Sequence, residues 1–424
     1  MLGANNASAQ TNDANASSAP PPAAAPVRDD PAGQPFTAGW DHGLSVESAD
    51  RSTTLQLGGL IQGDGRFVVD DPEAVNVFVM RRVRPILQGR VARAFEFRLM
   101  PDFANSTLVL FDAYLDTVFS DAFRVRVGKD KVPIGLEQLQ ADYSTLFTER
   151  SLATNLVPNR DVGVQIRGNL MGGTASYIGA VVNGVPDGAT GDVGTTSSKD
   201  FNGRLTVRPF TATRLRGWLG SLGIAVAGSR GRQIGPLPSF RTTNQRPFFT
   251  YSSAAAAAGM RTHLSPSAFY YYKSFGAFGE YVRSKQVVST STASAAVANT
   301  AVELTGSIVL TGERAANRNI GRLGADVVVK RPFAPGQGTW GAIQLVGRYS
   351  AVTVDPRAFV LSLATPGASQ RAVAYAVGVD WYLNEYVKYV AAFERTVFDR
   401  HASGSRRPEN AVTFRLQLNL QPTT

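Results

Sequence analysis

The chain predicts an all-β protein: a transmembrane antiparallel β-barrel of about sixteen strands with an inward-folded constriction loop. Three observations lead there. From about residue 52 to the end, apolar and polar residues alternate at period two in segments bounded by Gly, Pro, Asn or Asp. No apolar run approaches the ~20 residues that a membrane helix needs. Charged residues make up only 18% of the 424, and mean hydropathy is −0.08. A barrel strand produces that balance because it hides half its residues from an average.

The N-terminal segment, residues 1–45, reads as flexible and Ala/Pro-rich. Ala7-Ser8-Ala9 matches the small-residue end of a signal peptide, without the basic and apolar regions that precede one, so 1–9 is a candidate remnant. Residues 10–36, including "NASSAPPPAAAP", carry too few large apolar groups to bury a core and read as a linker. Such a segment would suit a contact with the cell wall or a periplasmic partner. The barrel is assigned to 46–424.

Sixteen segments read as strands: 52–68, 75–90, 92–103, 106–119, 122–131, 161–171, 174–184, 199–209, 216–230, 259–273, 275–290, 298–312, 339–353, 371–384, 386–400 and 409–420. In "AFRVRVGK", Phe123, Val125 and Val127 share one face while Arg124 and Arg126 share the other. In "GRLTVRPF", Leu205 and Val207 oppose Arg204, Thr206 and Arg208. "AVTFRLQLNL" sets Val412, Phe414, Leu416, Leu418 and Leu420 against Thr413, Arg415, Gln417 and Asn419. Segment 321–331 is assigned to a connection. Short links such as Gly172-Gly173 and Asn384-Glu385 alternate with long ones at 185–198, 231–258 and 354–370, the asymmetry of an outer-membrane barrel. Residues 131–160 are too long for a hairpin turn and too apolar to dangle, so they are expected to fold inward and narrow the lumen.

Chemistry is scarce. There is no Cys, hence no disulfide or thiolate metal site. The three histidines, His42, His263 and His401, lie far apart, and no metalloprotease, nucleophile-elbow, P-loop or dinucleotide motif occurs. The chain is read as a non-enzyme without metal or cofactor, and without a nucleic-acid partner. The net charge of +10 is almost all arginine, with seven lysines. Arginine offers planar oxyanions a fixed fork of donors. In "VNVFVMRRVRPILQGRVAR" (75–93), Arg82 and Arg84 share the polar face, and Val77, Val79 and Val83 the other. Arg81 falls on the apolar side by parity, which requires an interface, a protected contact or an inward turn at a bulge.

Seven stretches occur in order: "GKDKVPIGLEQL" (128–139), "FTERSLATNLVPNRDVGVQIRG" (147–168), "GAVVNGVPDG" (179–188), "GSIVLTGER" (306–314), "GAIQLVGRYS" (341–350), "GVDWYLNEYVK" (378–388) and "FRLQLNL" (414–420). Together they resemble the phosphate-selective porin O and P family over roughly residues 52 to 420. The resemblance implies a sixteen-stranded barrel in the bacterial outer membrane, surrounded by its lipid, usually a homotrimer, with an arginine-lined lumen that passes small anions such as phosphate or polyphosphate. It implies constriction residues as well. Arg81 and Arg82 match the family's arginine pair, and Asp112 matches an aspartate of the fourth strand. Leu60 stands where an arginine is usual and Gln138 where a lysine is usual, while Arg84 and Lys131 replace tyrosines. Arg98, Arg124, Arg126, Arg204 and Arg208 are expected to make the lumen basic. The expected function is passive, anion-preferring diffusion. The rivals are a structural anchor tethered through the N-terminal segment and a general porin without phosphate selectivity.

Overall fold

Period-two alternation produces sixteen strands that close on themselves: β1 Thr54–Val68, β2 Val77–Val91, β3 Phe95–Asp102, β4 Val109–Ser120, β5 Phe123–Lys131, β6 Arg160–Leu170, β7 Ala175–Val182, β8 Asp200–Val207, β9 Gly223–Gly235, β10 Ala256–Tyr272, β11 Phe275–Ser289, β12 Ser294–Val309, β13 Ala342–Thr353, β14 Arg371–Tyr382, β15 Val387–Phe398 and β16 Glu409–Leu420. This computed structural model describes residues 36–40, 42–69, 71–194, 196–316, 326–401 and 404–421. The signal-peptide and linker readings at 1–35 lie outside the described residues. Each strand pairs antiparallel with the next, and β16 pairs with β1 from Leu420↔Gly59 to Ala411↔Val68, which closes the barrel.

All sixteen anticipated segments are present. β9 starts at Gly223 rather than 216, because Arg216–Leu219 form a single helical turn. The alternation holds on β16, where Phe414 and Leu416 are exposed outward while Arg415 and Gln417 are buried inward. A hairpin of Phe36–Trp40 and Leu44–Ser48 joins the same sheet: Leu44 to Glu47 pair with Leu57 to Thr54, on the stretch of β1 that extends past the end of β16. The hairpin thus covers backbone groups that an edge would leave open, and the sheet begins upstream of residue 46.

The expected asymmetry of connections is incomplete. Links 92–94, 121–122, 171–174, 273–274 and 383–386 are tight, and they share one end of the barrel with two long ones, 208–222 and 310–341. Packing accounts for part of the second. Ala315 and Val327 are buried in an apolar cluster with Phe269, Tyr271 and Phe278, and Ala315–Ala316 pairs with Asp326–Val327 as a small separate ladder. The described part of 321–331 therefore belongs to a connection, not to the barrel wall.

Closure is reinforced by charge. Arg415 on β16 donates from Nε and Nη2 to the two Asp64 oxygens on β1, both at 2.7 Å, and both side chains are essentially unexposed. Removing one partner of such a pair strands a buried charge. Asp64→Ala is expected to destabilise the barrel by about 3–5 kcal/mol, read as a lowered urea midpoint in detergent, with Asp64→Ala/Arg415→Met recovering much of the loss. An unchanged midpoint for the single variant would remove this pair from the closure.

Candidate constriction site

The 132–159 connection crosses the inside of the barrel, as its length and apolarity predict. It contains one helical turn, Leu136–Leu139, and 3-10 turns at Asp142–Ser144 and Leu152–Leu156. Its backbone and side chains are bonded to the wall at several strands. Glu280 on β11 accepts from the Leu136 amide at 2.6 Å, and Ser151 Oγ donates to Glu303 on β12 at 2.9 Å. Further round the wall, Lys388 Nζ on β15 donates to the Thr145 carbonyl at 2.9 Å and Gln417 Nε2 on β16 to the Tyr143 carbonyl at 3.0 Å. Arg348 Nη1 reaches the Glu149 carbonyl at 2.9 Å, with its guanidinium 4.3 Å from the Phe147 ring centre.

Two apolar clusters hold the rest of the loop. Val132, Ile134, Leu152, Leu156 and Val157 pack with Phe240, Phe248, Phe249 and Tyr251 of connection 236–255, and with Ala358 and Leu363 of 354–370. Leu136, Leu146 and Phe147 pack with Phe269, Phe278, Val346 and Ala376 of the wall. Thus three connections, not one, fold inward, and several inward wall positions of β10–β14 are apolar rather than polar.

The charges gather against β1–β6 and β16, and two bulges aim them. In the β1–β2 ladder Gln62 pairs with Arg82 and Gly63 with Met80, so Arg81 is the extra residue and turns inward beside Arg82. This corrects the face assigned to Val77 and Val79. Upstream of the bulge the parity is reversed, and Phe78 and Met80 are the outward side chains, 84% and 49% exposed. In the β3–β4 ladder Met100 pairs with Asp112 and Pro101 with Leu110, leaving Phe111 as the extra residue. The Phe111 ring lies 4.1 Å from the Arg84 guanidinium and 4.6 Å from that of Arg160.

Loop carboxylates meet these arginines. Asp142 is 2.7 Å from Arg150, 3.5 Å from Arg82 and 3.9 Å from Arg160, and it accepts from Arg84. Glu149 accepts from Arg66 at 2.7 Å and bonds Arg81 through both oxygens. Burial would raise the Asp142 carboxyl, but Arg150, Arg82 and Arg84 outweigh it and hold that carboxyl well below the usual range. Glu149 is lowered in the same way: burial opposes, and Arg81 prevails. On the wall, Asp112 takes Arg160 at 2.7 Å and Arg98 at 3.3 Å, and Asp102 takes Arg84 at 2.7 Å.

The structure therefore brings together Arg81, Arg82, Arg84, Arg98, Asp112 and Lys131, the last donating to the Gln140 carbonyl at 2.5 Å. Gln138 bonds Asn159, which also accepts from Arg160 at 3.1 Å. Leu60 is fully buried opposite Arg84. Arg126 lies next along the wall, 2.7 Å from Asp116 with its guanidinium 3.5 Å from the Tyr114 ring centre. Three of the expected basic residues lie elsewhere. Arg124 pairs with Glu96 and Asp121 near the tight-turn end. Arg204 on β8 donates to Ser267 at 3.5 Å, and Arg208, just past β8, lies by Phe269. Sequence reading missed Arg66, Arg150 and Arg160, together with Phe111, Asp142 and Glu149. The carboxylates had a usable signal: Glu137, Asp142 and Glu149 are the only acids of a loop expected to press against arginines.

Residues 56–420 match the family described as phosphate-selective porin O and P. No curated protein sequence matches the chain. Among solved structures the chain is similar to the anion-selective porin from Comamonas acidovorans, at 11% identity over 86% of this chain and 99% of that one, TM-score 0.53. It is similar to the outer membrane channel DcaP of Acinetobacter baumannii, at 11% identity over 88% and 98%, TM-score 0.55. For the trimer form of OmpT, an outer membrane protein of Vibrio cholerae, the values are 10%, 87% and 99%, TM-score 0.54. At such identities the likeness is one of fold. A family match spanning almost the whole barrel carries more: the chain belongs to the phosphate-selective porin O and P family and is a porin of the bacterial outer membrane.

Proposed function

We propose that the pore prefers small anions and passes them by passive diffusion without a dedicated phosphate site. The observation that carries this reading is the excess of cations at the constriction. Arg66, Arg81, Arg82, Arg84, Arg98, Lys131, Arg150, Arg160 and Arg415 surround Asp64, Asp102, Asp112, Asp142 and Glu149. The cations outnumber the carboxylates, so the local field is positive and raises anion concentration. Each arginine already has a partner, however, so a passing anion meets charges that are partly compensated and is released readily. The uncharged Leu60 and Gln138 support the absence of a phosphate trap. Supporting the anion preference, a structural neighbour is the anion-selective porin of Comamonas acidovorans. A trimeric assembly is part of the proposal, in keeping with the trimer form of OmpT.

The deciding measurement is the reversal potential of single channels under a KCl gradient, repeated with phosphate. Replacing Arg82, Arg84 and Arg160 with Ala is expected to lower the chloride-to-potassium permeability ratio by at least about twofold; an unchanged ratio sinks the proposal. Phosphate is expected to leave the wild-type chloride current largely unblocked, and strong block would restore a phosphate site.

Acid should spare the Asp142 and Glu149 anchors of the loop. The folded-state values of Asp142 and Glu149 are depressed, so their anchoring is complete above the unfolded values and is lost only as pH falls through the folded ones. Conductance is expected to stay level as pH falls from neutrality to about 4, the ordinary carboxylate value. Noisy gating already at that pH would show that these pairs do not hold the loop.

A further inference from the structure

A second basic surface lies on the outside of the barrel. Between residues 201 and 279 the chain has no Asp or Glu, and the carboxylates that bracket this stretch, Asp200 and Glu280, are both buried. On β9 the exposed side chains are Ile224, Val226, Arg230, Arg232 and Ile234, so the two arginines continue the lipid-facing row. On β11, Arg283 and Lys285 are exposed while Val282, Ser284 and Gln286 between and beside them are buried. Among the described residues, none of the four cations has an ion pair or a side-chain hydrogen bond.

Register places them together. Arg230 pairs with Thr262 on β10, and Thr262 with Lys285, so these three form one lateral row. With strands ~4.8 Å apart, the two charged ends of the row lie about 10 Å from each other at the backbone. Arg232 and Arg283 flank the row one alternation away, opposite Met260 and Leu264.

Height along the wall says what they meet. Phe275 opens β11 at the tight-turn end, beside Tyr270, and Lys285 lies about ten residues along the strand. At ~3.3 Å per residue and a tilt near 40°, that is about 25 Å, the height of the apolar band of such barrels. Tight turns mark the periplasmic side, so the four cations stand at the outer-leaflet interface. Arginine on the lipid face is strongly unfavourable at mid-bilayer and tolerated there. Four uncompensated cations around one row make a receptor for phosphate groups, with the forks of the arginines supplying paired donors.

We propose that Arg230, Arg232, Arg283 and Lys285 bind the phosphate groups of the phosphorylated glycolipid of the outer leaflet. The test uses the full-length porin in detergent, offered bis-phosphorylated lipid A, dephosphorylated lipid A or phosphatidylglycerol, with retained lipid counted by native mass spectrometry. Wild-type protein is expected to retain bis-phosphorylated lipid A, less so as salt rises. The Arg230→Gln/Arg232→Gln/Arg283→Gln/Lys285→Gln variant is expected to retain at least about tenfold less, with single-channel conductance and ion selectivity unchanged. Undiminished retention by the variant, or equal retention of dephosphorylated lipid A, overturns the proposal. Preference for phosphatidylglycerol overturns the outer-leaflet assignment and makes the patch a site for ordinary phospholipid. Should the fourfold variant not fold, the Arg230→Gln/Arg232→Gln and Arg283→Gln/Lys285→Gln pairs are each read the same way.

Discussion

The Asp142 carboxylate, surrounded by Arg82, Arg84, Arg150 and Arg160, is the contact on which the rest of the constriction depends. A loop as long as 132–159 has many ways to cross a wide barrel. Apolar packing at its two ends fixes where it enters and leaves, but packing is tolerant of small slides. A carboxylate bonded to several rigid guanidinium forks is not. Removed from water, such a cluster contributes less to net stability than its contacts suggest, because desolvation offsets the attraction. What it supplies here is position. With Asp142 and Glu149 seated, the loop presents these two acids to one wall and most of its apolar residues to the other, where its third acid, Glu137, faces Arg348 of β13 at 3.5 Å.

That division depends in turn on two local departures from regular strand geometry. A regular strand could not turn Arg81 and Arg82 to the same side, nor Phe111 and Asp112. The bulges at Arg81 and Phe111 do both. Arg81 thereby reaches Glu149, while Phe111 gives Arg84 and Arg160 a ring face to lie against. Stacked guanidinium groups keep their donors aimed sideways, toward carboxylates or a passing solute.

The fold was legible because membrane strands must alternate, and sixteen alternating segments stand out even in a chain of near-neutral hydropathy. The wall arginines were legible for the same reason. Bulges were not, since one inserted residue leaves the local pattern intact on either side and merely reverses its sense; Val77 and Val79 were assigned to the wrong face on that account. Parity also fails where both faces are apolar. Nothing in "AFYYYKSFGAFGE" shows that Phe269, Tyr271 and Phe278 point inward to receive a loop. Loop carboxylates have no period at all, so Asp142 and Glu149 could be found only by asking what would neutralise arginines already placed.

The pore is thereby split into two unlike halves. Along β10–β14, apolar side chains and three infolded connections share the interior with the buried Arg261, Glu280, Glu303, Arg348 and Asp380. Along β1–β6 and β16, paired charges line it. On the proposed reading the excess of cations over carboxylates would draw anions in, and the protein partner that each cation retains would compete for it and let the anion go. A pore built on fewer, unpartnered arginines would hold anions more tightly and conduct them more slowly. On that proposal the compensated cluster serves both tasks: it fixes the loop and would keep the passage from becoming a binding site.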